Sequence, residues 1–104
     1  MKLREQLEYA AKAMGYVECG WMGDGFTHVV NNQFVFWQPL TDQADSDRMG
    51  AKLRINLRFG DSFVWCRSRD VECCAPLHNN TDEDVCRAVR EARMAVAVEI
   101  GRMK

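Results

Sequence analysis

The residue order predicts an α+β fold: a single layered domain over residues 1–104, with a mainly antiparallel sheet of about four to six strands. Helices at the amino and carboxyl termini and one short middle helix are expected to pack on that sheet. Three observations predict this. Apolar residues recur at helical spacing at both ends, the period drops to two between them, and Gly, Asn, Asp and Pro punctuate the middle. At 104 residues there is room for one domain, which buries roughly 60–70% of its extended-chain surface.

The elements follow in order. Leu3, Leu7, Ala10 and Met14 fall on one helical stripe, Glu8 and Lys12 form an i, i+4 pair off it, and Gly15 supplies the stop. From Tyr16 to Trp37 the alternation is strand-like, broken by Met22-Gly-Asp-Gly25 and by Asn31-Asn32. Phe34 and Phe36 then share one face and Val35 and Trp37 the other, so this strand needs cover on both sides, from its own helices or from another subunit. Pro39 ends the stretch because it has no amide proton for a ladder. Thr41 to Asp47 offers caps and carboxylates for the entry of a brief helix carrying Met49 and Leu53, weakened at Gly50 by about 1 kcal/mol relative to Ala.

Arg54 to Phe59, Gly60-Asp-Ser62 and Phe63 to Arg67 read as a hairpin. A three-residue loop would set Phe59 against Phe63, Leu57 against Trp65 and Ile55 against Arg67, leaving Arg54, Asn56 and Arg58 on the opposite face. Val71 to Ala75 adds a strand before Pro76. The last and longest helix opens near Thr81, capped by Asn80 or Thr81, with Asp82, Glu83 and Asp84 in its first turn and Val85, Val89, Ala92, Val96, Ile100 and Met103 on its stripe.

Composition excludes several functions. Fourteen Lys and Arg against 15 Asp and Glu leave a net charge of -1, so no global field draws the chain to nucleic acid or anionic lipid. No apolar run approaches the ~20 residues that cross a bilayer, and Met1 to Gln6 lacks the apolar stretch of a secretory signal. The expected location is the cytoplasm. Five cysteines are an odd set there, better suited to packing as free thiols than to a disulfide framework.

The order of helix, strands, Trp37-Gln-Pro-Leu40, acidic linker, Asp45-x-x-Arg48-Met-x-x-Lys52-Leu53, hairpin and a closing helix with Arg87-Ala-Val-Arg-Glu-Ala-Arg and Glu99-Ile-Gly101 resembles the small phage and prophage proteins of the ABA-sandwich type. The resemblance covers nearly the whole chain. That group usually has Asn where Gln38 stands, and an apolar residue and Ala at the positions of Asp47 and Gly50. It implies a layered α+β protein from a phage accessory gene, in a bacterial host cell, with no assigned activity to carry over.

Cys66, Cys73, Cys74 and His78 hold enough soft donors for zinc, yet lack paired-ligand spacing, and adjacent Cys73 and Cys74 on a strand point to opposite faces. A thiol nucleophile would need a neighbouring base, and no local sequence sets His28 or His78 beside a cysteine; His28 is expected exposed or hydrogen-bonded on its strand. Carboxylates at Asp45, Asp47 and Asp82 to Asp84 suit helix starts. No cofactor, metal or catalytic residue is assigned. The expected binding surface is Trp37, Pro39, Arg54, Arg58, Arg67 and Arg69.

These features together predict a noncatalytic phage or prophage accessory protein that binds a host or phage protein, including as an inhibitor of a bacterial immune system; a homodimer fits as well. The alternative is a nucleic-acid or nucleotide-signal binder using the arginines of residues 54–69. Against it stands the expected register, which separates Arg54 and Arg58 from the aromatic face, while the rings around Phe34 and Trp65 are expected in the interior.

Overall fold

The computed structural model describes residues 1–104, and each helix ends where its sequence provides an end. Helix α1 (Leu3–Met14) stops at Gly15, whose φ of 72° lets its N–H reach back to the Lys12 carbonyl. Helix α2 (Gln43–Lys52) starts at Asp42, whose carboxylate accepts from the Asp45 amide. Helix α3 (Asp82–Arg102) starts at Thr81, whose hydroxyl accepts from the Asp84 amide. The expected three-helix layout is therefore present, with α2 the short middle helix.

Six strands lie between them, divided into two antiparallel sheets of three. Sheet A joins β1 (Gly20–Met22), β2 (Gly25–Val30) and β3 (Gln33–Phe36) in that order; sheet B joins β4 (Asn56–Phe59), β5 (Phe63–Ser68) and β6 (Val71–Pro76). Helices α1 and α3 pack on each other and serve both sheets. One core cluster joins Leu7, Ala10 and Met14 of α1 and Met94, Ala97 and Val98 of α3 to Met49, Phe26 and Trp37. The other sets Ala88, Val89, Ala92 and Val96 of α3 against Val64, Cys66 and Ala75 of sheet B. Fully burying one such large side chain is worth about 1.5–3 kcal/mol.

Two glycines allow the helices to close. A Cβ on Gly101 would overlap the Tyr9 carbonyl and crowd its Cα, so α1 and α3 meet at this distance only because position 101 has no side chain. A Cβ on Gly50 would come 2.9 Å from Arg93 Nε; the bare α2 surface there receives the Arg93 side chain, whose Nη1 donates to Asp47 at 2.7 Å. The helix penalty at Gly50 is thus offset by a contact between helices.

Two expectations about the strands are overturned. The β4–β5 hairpin is one residue out of the expected register: Gly60 N–H donates to the Phe63 carbonyl at 2.8 Å, the loop is Asp61-Ser62, and the pairs are Phe59 with Val64, Leu57 with Cys66, Arg58 with Trp65 and Asn56 with Arg67. A one-residue slip exchanges the faces. The cause lies in α3, whose Ala88 and Ala92 leave a shallow surface that accepts Val64, Cys66 and Ala75, so Trp65 is turned outward.

The second correction concerns β3. All four of its residues are exposed, with Phe34 at 66% and Phe36 at 63%, whereas Trp37 beyond the strand end is 2% exposed. The rings near Phe34 and Trp65 are not spent on an interior. No helix of the structure is long and apolar enough to cross a membrane.

Candidate functional site

The outer face of sheet B gathers the chemistry that the expected register kept apart. Asn56 and Arg58 of β4, Phe63, Trp65 and Arg67 of β5, and Glu72 and Cys74 of β6 alternate onto it. The Arg58 guanidinium carbon lies 5.6 Å from the Trp65 ring centre, and the Phe63 ring centre lies 6.1 Å from it, tilted by 46°. Asn56, Arg58, Trp65, Arg67 and Glu72 line a groove of about 200 Å³. An aromatic plane flanked by two arginines can stack a planar ring and hold an anion beside it.

The remaining two arginines lie at one end of this sheet, in turns. Arg54 follows α2 at φ 52°, in the place where a Schellman ending normally puts glycine: its N–H donates to the Ala51 carbonyl and the Ile55 N–H to the Gly50 carbonyl. Arg69 opens the two-residue turn between β5 and β6 at φ 57°. Left-handed backbone costs a residue with a Cβ about 1 kcal/mol or more. Asn31, Asn32 and Asn80, which share it, are the residue type that tolerates it best; Arg54 and Arg69 are not.

Trp37 and Pro39 are not surface residues. Both are buried; the Trp37 indole packs edge-on to Tyr16 at 5.2 Å and near Phe26, and its N–H has no partner. Of the expected binding surface, therefore, the four arginines are exposed and the Trp-x-Pro pair is core. The residues missed were Phe34 and Phe36, which alternation alone marks equally well as core, and Trp65 as a partner of Arg58.

His28 is buried rather than exposed. Its imidazole stacks on the Tyr16 ring with centres 3.7 Å apart, and burial lowers its pKa against the opposing pull of Asp45. Asp45 is committed: one oxygen accepts from the Gln38 amide at 2.9 Å and the other from Arg48 at 2.6 Å. Asp84 is likewise spent on structure, taking Arg87 at one oxygen and the amides of His78, Asn79 and Asn80 at the other, which hold its carboxyl well below the usual range.

Burial pushes the Cys66 thiol up to about 11 and raises Cys19 and Cys73, so these three are thiols at neutral pH. Cys73 and Cys74 project to opposite faces of β6, and no three His, Cys, Asp or Glu side chains gather in metal-binding geometry. Neither histidine lines any of the five main surface depressions. No family model, curated protein or solved structure matches the chain.

Proposed function

We propose that this chain is a noncatalytic interaction module, an accessory protein of phage or prophage type, that binds a host or phage protein through the open edge of β3. The observation that carries this reading is an edge strand without protection. Gln33-Phe34-Val35-Phe36 has no charge, no proline and a neighbour on one side only. Asn31 and Asn32, both at positive φ, close a two-residue hairpin, which makes Val30 and Gln33 a hydrogen-bonded pair; alternation then turns the N–H and C=O of Phe34 and Phe36 outward. A partner strand would find unpaired backbone donors and acceptors and two phenyl rings on one face.

The test is a charged edge. Phe34→Lys with Phe36→Lys should leave the melting temperature within a few degrees, because both rings are already in solvent, and should abolish retention of a partner from host lysate. A wild-type protein that retains nothing, or a double variant that retains the same partner, overturns the reading. Self-association through the same edge would appear as a dimer that the lysines dissolve. Inhibition of an immune system is the narrower form of this reading; it requires that the captured partner belong to such a system and lose activity when bound.

The β4–β5 register supports a second reading, a nucleic-acid or nucleotide-signal binder using Arg58, Trp65 and Arg67. Stacking on Trp65 is worth about 1–3 kcal/mol per base, so Trp65→Ala should weaken a single-stranded oligonucleotide by roughly 5- to 150-fold. Affinity that does not fall with rising salt would remove the phosphate part of this reading.

A further inference from the structure

Beyond both readings, we infer that the two turns carrying Arg54 and Arg69 form a phosphate-binding clamp. Lys52, Arg54, Ser68, Arg69 and Lys104 line one groove of about 190 Å³, with four basic residues and no Asp or Glu among its walls. None of the four belongs to any of the ion pairs of the molecule, which engage Arg48, Arg87, Arg93 and Arg102 instead. The Lys104 ammonium donates to the Ala13 carbonyl at 3.1 Å and the Lys52 ammonium lies 5.5 Å from the Tyr16 ring centre, which leaves Arg54 and Arg69 as the groove's uncommitted cations in a chain of net charge -1. Asp70 borders the neighbouring depression, which it shares with Arg69 and Lys104.

Two further observations set this groove apart from an ordinary solvated face. Both arginines occupy backbone positions that favour glycine, as Glu18 does elsewhere in the chain, so the fold carries strain at two residues that line the groove. The turns are also bolted together: the buried Ser68 hydroxyl donates to the Leu53 carbonyl at 2.6 Å, and Leu53 and Ser68 are the residues immediately before Arg54 and Arg69. The two turns are therefore held side by side before a ligand arrives. Guanidinium forks carried on these paired turns can match phosphate oxygens, and a volume this small takes one or two phosphate groups rather than a duplex. The inference does not rest on base stacking and stands even if Trp65 receives nothing.

Glycine substitution separates binding from folding, because glycine relieves the backbone while removing the charge. In low salt, inorganic pyrophosphate should shift the amide resonances of Leu53, Arg54, Ser68 and Arg69, and the effect should fade as salt rises. Arg54→Gly and Arg69→Gly should each raise the melting temperature of the free protein and weaken pyrophosphate by about tenfold. An oligothymidylate arm identifies the source of the phosphate: tighter binding of the oligonucleotide, displaced by pyrophosphate, assigns a single-stranded backbone, and the reverse order assigns a free phosphorylated ligand. Absence of shifts at millimolar pyrophosphate overturns the clamp, as do glycine variants that bind as tightly as the parent.

Discussion

Sheets A and B have the same strand count and the same up-and-down order, yet they divide their side chains in opposite ways. Sheet A sends Phe26 inward to pack with Trp37 just past the end of β3, and leaves Phe34 and Phe36 exposed on an uncharged edge strand. Sheet B sends small residues inward, Val64, Cys66 and Ala75, and puts Trp65 and the arginines outside. The helix opposite decides the difference. The Ala88 and Ala92 surface of α3 has depth only for small groups, whereas Leu7, Met14 and Met49 leave space between them for an indole. One helical layer therefore yields an apolar, hydrogen-bonding edge on one sheet and a cationic, aromatic face on the other.

The sharpest break of this comparison is within sheet A. Trp37→Ala empties a fully enclosed site and should cost about 3–5 kcal/mol, while Phe36→Ala, one residue earlier, should cost about 0.5 kcal/mol or less. Urea melts of the two variants test it directly. Comparable losses would mean that β3 is covered in solution, and the open edge would no longer exist.

Next in size is Gly101→Ala, which strikes the layer that both sheets share. The new methyl meets the Tyr9 backbone rather than a movable side-chain tip, so α1 and α3 must separate, at a cost of about 1–3 kcal/mol. Because the two core clusters both draw on α3, tryptophan fluorescence reporting Trp37 and Trp65 should shift together. Separate transitions would show that the sheets melt independently.

The elements were legible because their signals are local. Gly15, the Thr81 cap and the Val71 strand each follow from a handful of neighbouring residues. Register was not. Phe59-Gly-Asp-Ser-Phe63 permits a two- or a three-residue loop, and the choice was made by the shape of α3, about 25 residues away in sequence. The same limit concealed the role of Phe34 and Phe36: alternation marks a face, and only the rest of the fold says whether anything covers it. The four arginines were found as surface residues, but the positive φ at Arg54 and Arg69 could have been suspected only from the lack of Gly or Asn where α2 stops and β5 turns.

The smallest effect separates the two sheets by acid. Below about pH 6.5 the unfolded chain protonates His28, while in sheet A burial against Tyr16 keeps the folded imidazole neutral, so the unfolded state gains protons and stability falls until the lowered folded value is passed. Asp84, between β6 and α3, behaves the same way in a lower window. Arg87 and three backbone amides favour its carboxylate, so its contribution is complete above the ordinary aspartate range near 4 and drains away only as the pH falls further. Unfolding free energies measured from pH 8 down to pH 3 should thus decline in two steps. His28→Phe, which keeps a ring against Tyr16, should flatten the upper step and leave the lower one, and Asp84→Asn should leave the upper step and reduce the lower one, to which Asp47, held low by its hydrogen bond from Arg93, also contributes. An unchanged upper slope in His28→Phe would mean that the imidazole protonates freely in the folded state, and that sheet A seals its inner face less tightly than its packing against Tyr16 and Trp37 implies.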